Sequence, residues 1–524
     1  GVSARERSLT TPRDLHTESY ETAASCTRCH SDHAQSFART FHRTMTREAR
    51  GADVRAPFAG ERVSYFGVPA TMDKRDGTPR MSWGGRTIEI ALTVGSRRYQ
   101  QYIGRVDGSL QRLPWAYHLE EQRWFHMNGA FLTADPALPI AGADYTRHVT
   151  RWNDNCIFCH NVRPNPGLAN GHFESKVEEL GVACEACHGP ASAHERENQD
   201  PYRRYRLHLS GAADPTIVNP ARLSQERSLD VCGRCHGQRI TDDVSAFLRA
   251  GDPFVPGDDL SLYSAPLWHD TTLAGEPGPF ASRFWDDGTP RLTAYEYQGV
   301  LQSPCTAGGQ LTCLSCHDMH AGDPRGQMRP ELTRDQLCTQ CHTQVSADHA
   351  RHPAQSQVGC VDCHMPSVVY GVMASHPSHR IEIPALHPRQ DRPDACTLCH
   401  VDRTREWQRG GLSQAEQQLF GGDPLMRAIT AASYAQPRLA GDRPARSNAL
   451  LLEVMEHDPY PGVRHLAYRS LLARSPGSAF VPEATASERA ARVGALRAKL
   501  PVEPVPALDA LRARASDRAI DIGE

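Results

Sequence analysis

Leu311-Thr312-Cys313-Leu314-Ser315-Cys316-His317-Asp318-Met319-His320 carries the pattern on which the reading of this chain turns. Two cysteines three positions apart are followed at once by a histidine, and another histidine lies three residues on. The pentad Cys-x-x-Cys-His recurs at Cys26-Cys29-His30, Cys156-Cys159-His160, Cys184-Cys187-His188 and Cys232-Cys235-His236. It recurs again at Cys338-Cys341-His342, Cys360-Cys363-His364 and Cys396-Cys399-His400, so that eight copies use 16 of the 17 cysteines. Random order would give far fewer than one copy. Two thiols on one turn can each form a thioether to a vinyl group of one porphyrin, and the adjoining imidazole then points at the iron, the pattern of c-type haem attachment. Structural zinc draws its remaining ligands from a second, distant pair and does not fuse a histidine to every second cysteine. A thioredoxin-like pair occurs once, and a disulfide framework belongs to much shorter chains. The cofactor expected is eight covalently bound haem c groups.

Around these motifs the chain is ordinary in bulk and unusual in detail. Its 524 residues are 39% hydrophobic and 23% charged, with a mean hydropathy of −0.54. That is slightly poor in core-forming residues but outside the disordered range. No stretch approaches the ~18 apolar residues of a membrane span. A formal charge of −3 argues against a nucleic-acid partner. Lys74, Lys176 and Lys499 are the only lysines, so the basic residues are almost all arginine. Arginine suits bidentate pairing with haem propionates, although an arginine-favouring codon bias explains the excess equally well. Covalent haem attachment and a polar start at Gly1 lead us to expect a mature exported protein, periplasmic or extracellular, whose signal peptide has been removed.

Motif spacing divides the chain into four expected regions: an N-terminal arm with the first haem (1–54), a β-rich insertion (55–140), a seven-haem domain (141–400) and an α-helical HEAT-like tail (401–524). Between residues 156 and 400 each motif has roughly 35 residues, fewer than the ~40 below which a domain lacks a sufficient core. The porphyrins must therefore supply the interior. Short helices bearing the motifs, long irregular connections and little sheet are expected there, consistent with 40 glycines and 38 prolines. In 55–115, Val63–Phe66, Ile88–Val94 and Tyr99–Ile103 read as strands, with turn dipeptides at Asp76-Gly77, Gly84-Gly85 and Asp107-Gly108. Ile88, Ile90, Leu92 and Val94 alternate with Glu89, Ala91 and Thr93 as a half-buried strand, and a small antiparallel insertion covering the first haem is expected. Helical periodicity marks Asn448–Met455, Val463–Leu472 and Glu488–Leu500. Asp458-Pro459-Tyr460-Pro461-Gly462-Val463-Arg464 is similar to one HEAT repeat, which needs a surface to dock on.

Distal ligands decide function. An iron with a side chain on both faces passes electrons, whereas one open face can bind and transform a small molecule. Eighteen histidines lie outside the motifs, enough to close all eight irons. His33 and His320 stand one helical turn after a motif histidine, His194 follows the third motif closely, and His352 and His379 flank the seventh. Cys305 has no thiol partner and is expected to be buried and inert, with intermolecular crosslinking or iron ligation as alternatives.

At these residues the chain resembles bacterial multihaem cytochromes c with about eight haems, often fused to C-terminal TPR or HEAT repeats. The resemblance covers roughly residues 20–410. It is carried by Thr40-Phe41-His42-Arg43-Thr44-Met45, by Glu179–Pro190 with His194, by Leu311–His320, by Cys360–Pro366, and by Ser378-His379-Arg380-Ile381 with Asp394–His400. It implies stacked and T-shaped haem pairs, mostly bis-His ligated, and adds His42, His126, His148 and His269 as distal candidates, with His118 behind them.

The function expected is an electron-transfer conduit through bis-His haems, an electron carrier rather than an enzyme. Partners expected are other redox proteins or cytochromes, within a homopolymer or a membrane-associated electron-transfer complex. In an extracellular filament, His16 or His33 of the N-terminal arm could be donated to the next subunit. The alternative is an octahaem oxidoreductase acting on a small nitrogen or sulfur compound at one open haem. Its Cys-x-x-Cys-Lys variant is excluded, because all three lysines lie outside the motifs.

Overall fold

In the computed structural model of the chain, residues 13–517 are described apart from 274–277, 293, 321–325, 347–348, 350–351, 353–357, 371–372, 385–391, 410, 437–438, 478 and 506. Residues 1–12 of the expected N-terminal arm lie outside the described residues. The chain reverses at the three turn dipeptides read from the sequence. Asp76-Gly77, Gly84-Gly85 and Asp107-Gly108 each hold two successive residues at positive φ, the conformation of two-residue hairpins that glycine and aspartate enter most readily. A fourth such turn, Phe66-Gly67, is also present. Its first residue carries no turn signal, so Phe66 reads as strand. The strands are β1 (Thr46–Glu48), β2 (Glu61–Tyr65), β3 (Val68–Arg75), β4 (Thr78–Trp83), β5 (Arg86–Val94), β6 (Tyr99–Val106), β7 (Ser109–His118) and β8 (Arg123–His126). From β2 to β8 they run as a meander, with β1 paired to the end of β5.

The small insertion expected from sequence is therefore corrected to an eight-stranded antiparallel sheet, curled nearly into a barrel. The charges in β3 and β4 (Asp73, Lys74, Arg75, Arg80) hid two strands; Asp73 and Arg80 lie on the outer face and pair there at 3.0 Å, and Lys74 and Arg75 stand exposed at the end of β3. The first and last strands of the meander meet through side chains. Tyr65 of β2 stacks on His126 of β8 at 3.9 Å, and Asn128 donates to the Tyr65 hydroxyl. The enclosed core is aromatic, with Phe58 edge-on to both Tyr102 and Trp124.

One irregularity joins this sheet to the motif region. The alternation read for β5 holds at Ile88 and Ile90, which face the sheet core. A register shift between Ile90 and Leu92 then turns Leu92 and Val94 to the other side, against Ile103, Trp152 and Ile157. An extra residue in one strand has this effect because side chains alternate with period two. Ile157 lies inside the second Cys-x-x-Cys-His motif, so the bulge seats that motif on the sheet.

From 141 to 400 the regular elements are short, as in Glu185–His188, Gln225–Gly233, Gln336–Thr339, Cys360–His364 and Ala395–Cys399. The strands there are two to four residues long. The tail is helical: Gln414–Gly421, Pro424–Ser433, Pro444–His457, Pro461–Arg474 and Ala486–Arg497, then Leu508–Arg512. Its first two helices carry clear start signals, a Ser413/Glu416 capping box and an Asp423 cap followed by Pro424. The tail docks on the motif region. Leu419, Ile429, Val454 and Val463 share one core with Leu292, Tyr295, Val369 and Leu398.

Two polar joints tie the tail to the sheet. Arg464 is fully buried and reaches Asp135 with both terminal nitrogens (3.0 and 2.8 Å) and the Asp458 and Pro482 carbonyls. Glu121 accepts from Arg123 at 2.7 Å, with the His118 and His465 imidazoles turned toward its other oxygen at 3.8 and 3.7 Å. Replacing Arg464 with Met leaves Asp135 with Arg489 as its remaining ion-pair partner among the described residues, and should cost about 3–5 kcal/mol in denaturant unfolding. Acid should act on the second joint, through His465, and on the sheet core, through His126. Burial lowers His126 and His465 from 6.5 to about 3. The unfolded chain takes up these protons below pH 6.5 and the folded chain only near 3, so stability should fall as pH falls through that window. In His465→Gln the decline between about pH 6 and 4 should be shallower by one proton.

Candidate haem-iron ligand sites

Each motif is a single turn. The backbone N–H of the motif histidine donates to the carbonyl of the first cysteine at His30 (2.9 Å), His160 (3.3), His188 (3.0), His236 (2.9), His317 (2.9), His342 (3.0) and His400 (2.7). In the remaining motif, Cys360 to His364 is one short helix. Residues three and four apart on such a turn share a face, so Cys26 stands with Cys29 and His30, and likewise Cys156 with Cys159 and His160, and Cys184 with Cys187 and His188. The same holds for Cys232, Cys235 and His236; Cys313, Cys316 and His317; Cys338, Cys341 and His342; Cys360, Cys363 and His364; and Cys396, Cys399 and His400.

Three of these imidazoles are pinned through Nδ1. His188 donates to the Val218 carbonyl (2.7 Å), His317 to Gly326 (2.9 Å) and His364 to Glu382 (2.7 Å). A donating Nδ1–H leaves the Nε2 lone pair for a metal and fixes the ring's direction. Two spare histidines are held likewise, His42 by the Gln327 side-chain oxygen and His194 by Asp214, which Arg203 clamps at 2.7 and 2.8 Å. Burial lowers His42, His160, His320 and His379 to about 4, keeping them in the neutral form that can ligate.

The imidazoles face one another at a telling distance. His30 and His194 have ring centroids 6.3 Å apart, His188 and His320 5.8 Å, His317 and His379 6.4 Å, and His349 and His364 5.8 Å, all with nearly parallel planes. His42 lies 5.8 Å from His236 with crossed planes, and His352 lies 6.0 Å from His400. Two imidazoles bound through nitrogen to one metal at about 2.0–2.1 Å per bond have centroids roughly 6 Å apart. Directly stacked rings such as His33 and His320 sit closer, at 4.3 Å. Six of the eight motif histidines thus face a second imidazole at the spacing two nitrogens on one iron would need, and the residues present fit haem c. A cavity of about 350 Å³ opens beside Cys363, with Arg380 and Arg392 in its lining.

Not every spare histidine read from the sequence reaches a motif. His33 lies near both His30 (6.4 Å) and His320. His126 is held in the sheet core by Tyr65, and its Nδ1 accepts from the Asn128 N–H. His148 stacks on Phe131 at 3.8 Å and contacts the Thr133 hydroxyl through Nε2. His269 is half-exposed and edge-on to Phe284, and His16 pairs with Asp258. The structure brings none of these four against a motif histidine. Among the described residues, His160 and His342 face no second imidazole. Sequence reading missed His349, whose distance from both neighbouring motifs matches no helical turn; its sole signal was a place between motifs six and seven. Cys305 is partly buried on the short helix Pro304–Ala307, near Cys316 and Cys338.

The sulfurs also come together from motif to motif. Cys26 and Cys184, Cys159 and Cys235, Cys232 and Cys313, and Cys338 and Cys360 are within hydrogen-bonding reach. Cys187 neighbours Cys235, Cys316 neighbours Cys341, and Cys363 neighbours Cys399. The motifs therefore follow the order one, three, four, five, six, seven, eight, with motif two joining at four.

A fold in which motif turns face spare imidazoles, with little packed core of its own, defines a class, and comparison with known proteins gives the same one. A family model described as a doubled CXXCH motif matches residues 303–347. Multiheme cytochrome MtrA of Shewanella baltica (strain OS185) is 23% identical over 260 residues, covering 48% of this chain. The chain spans about half of that relative, 53% of its length. The crystal structure of outer cell wall cytochrome OcwA matches with a TM-score of 0.50 at 15% identity, over 92% of this chain and 99% of that one. The chain is thus similar to multihaem c-type cytochromes, and its motif turns are of the kind that hold haem c covalently.

The ligand geometry predicts the outcome of two substitutions. His349→Ala should convert one low-spin haem to high spin in the EPR spectrum of the oxidised protein. His148→Gln, at a histidine the structure keeps away from the motifs, should leave the spectrum unchanged.

Proposed function

We propose that the protein is an octahaem electron relay in which bis-His irons pass electrons along the motif order one, three, four, five, six, seven, eight, with motif two as a branch at four. The observation that carries this reading is the set of six facing imidazole pairs, which leaves few open coordination positions for a substrate. Twofold imidazole ligation favours electron transfer over ligand chemistry. Partners are other redox proteins, which would approach where motifs reach the surface: Cys29 and His30 of motif one and Cys341 and His342 of motif six are exposed. A second copy docked against such an exposed motif would extend the relay into a homopolymer. The reading includes export, to the periplasm or cell exterior, since thioether haem attachment takes place there.

Electrospray mass of the purified protein should exceed the polypeptide by eight haem groups. Dithionite should reduce all of them, and air or a redox partner should reoxidise them. Steady turnover of nitrite, sulfite or hydroxylamine would instead point to an enzyme with an open iron.

A further inference from the structure

Glu296 opens the helix Glu296–Leu301 and places its carboxylate between three imidazoles. Oε2 stands 3.9 Å from Nδ1 of His236, the motif-four histidine, and Oε1 stands 3.7 Å from Nε2 of His376. His379, opposite the motif-five histidine, is its third electrostatic neighbour. Oε2 is out of contact with solvent and accepts no hydrogen bond. Among the described residues no lysine or arginine pairs with this carboxylate, and Arg97 and Arg98 stand beyond His376. Other acids of the interior are met by a guanidinium, as Asp458 is by Arg427 and Glu416 by Arg446. Glu296 instead directs its charge at candidate iron ligands.

We propose that Glu296 sets the reduction potential of the motif-four haem, holding it below the value it would have beside a neutral side chain. The inference deepens the relay reading and rests on a haem being present at Cys232, Cys235 and His236. A fixed negative charge near an iron favours the ferric over the ferrous state, and little solvent lies between to screen it. The step involved is the one-electron couple of that iron, with the electron coming from one neighbouring haem and going to another. Motif four is where motifs two, three and five meet, so lowering its potential shortens the stay of an electron at the junction and keeps the branches from sharing a common trap.

The test is a spectroelectrochemical titration of holoprotein carrying Glu296→Gln or Glu296→Asp. The glutamine keeps the shape and removes the charge; the aspartate keeps the charge and withdraws it by one methylene. Glu296→Gln should move one midpoint potential in the positive direction and leave the others in place, and Glu296→Asp should move the same one less. Unmoved midpoints in Glu296→Gln overturn the inference. Loss of a haem by mass in either variant assigns Glu296 a structural role and overturns it likewise. Failure of the underlying reading would show separately, in wild-type protein, as a Cys232–His236 peptide without haem.

Discussion

Two imidazoles held face to face, about one metal diameter further apart than they would stack, are the constraint around which this chain is built. An iron porphyrin placed between them would be held from both sides by neutral nitrogen and at its edge by two cysteines. Each grip needs little protein: one turn that brings a motif histidine beside its cysteines, and one spare histidine from elsewhere in the chain. His320, three residues beyond the fifth motif, faces His188 of the third, and His379, beyond the seventh, faces His317 of the fifth. Iron held by pairs that cross between motifs would cross-link the fold as a disulfide framework does in a small secreted domain, which suits a region of short helices and scant sheet such as residues 141–400.

The two regions without motifs supply the packed interior that the motif region lacks. The curled sheet has an aromatic core of its own, and the bulge in β5 turns Leu92 and Val94 outward onto the second motif. The helical tail packs Leu419, Ile429 and Val463 against Leu292, Val369 and Leu398, which flank motifs seven and eight. Arg464 with Asp135, and Glu121 with Arg123, His118 and His465, lock tail to sheet.

Much of this is legible in the sequence wherever a short-range rule applies. The eight motif turns follow from spacing, the hairpins from Asp-Gly and Gly-Gly, and the tail helices from apolar periodicity. Long-range pairing is where it ceases to be legible. His349 and His364 meet because of the path of an irregular connection, which leaves no periodic trace, while His126 and His148 look equally available and are taken up by Tyr65 and Phe131. The extent of the sheet was underread because the outward charges of β3 and β4 and the turn at Phe66 mask two strands. Glu296 carries no sequence signal; one acid among 61 acquires meaning through the histidines it is placed between.

Near-infrared magnetic circular dichroism of the oxidised protein at low temperature tests the facing-imidazole account most directly, because the charge-transfer band of low-spin ferric haem reports which two residues hold the iron. The account predicts bis-imidazole bands with an intensity of at least six haems per chain. A spectrum dominated by high-spin iron, or by histidine–methionine bands, would contradict it.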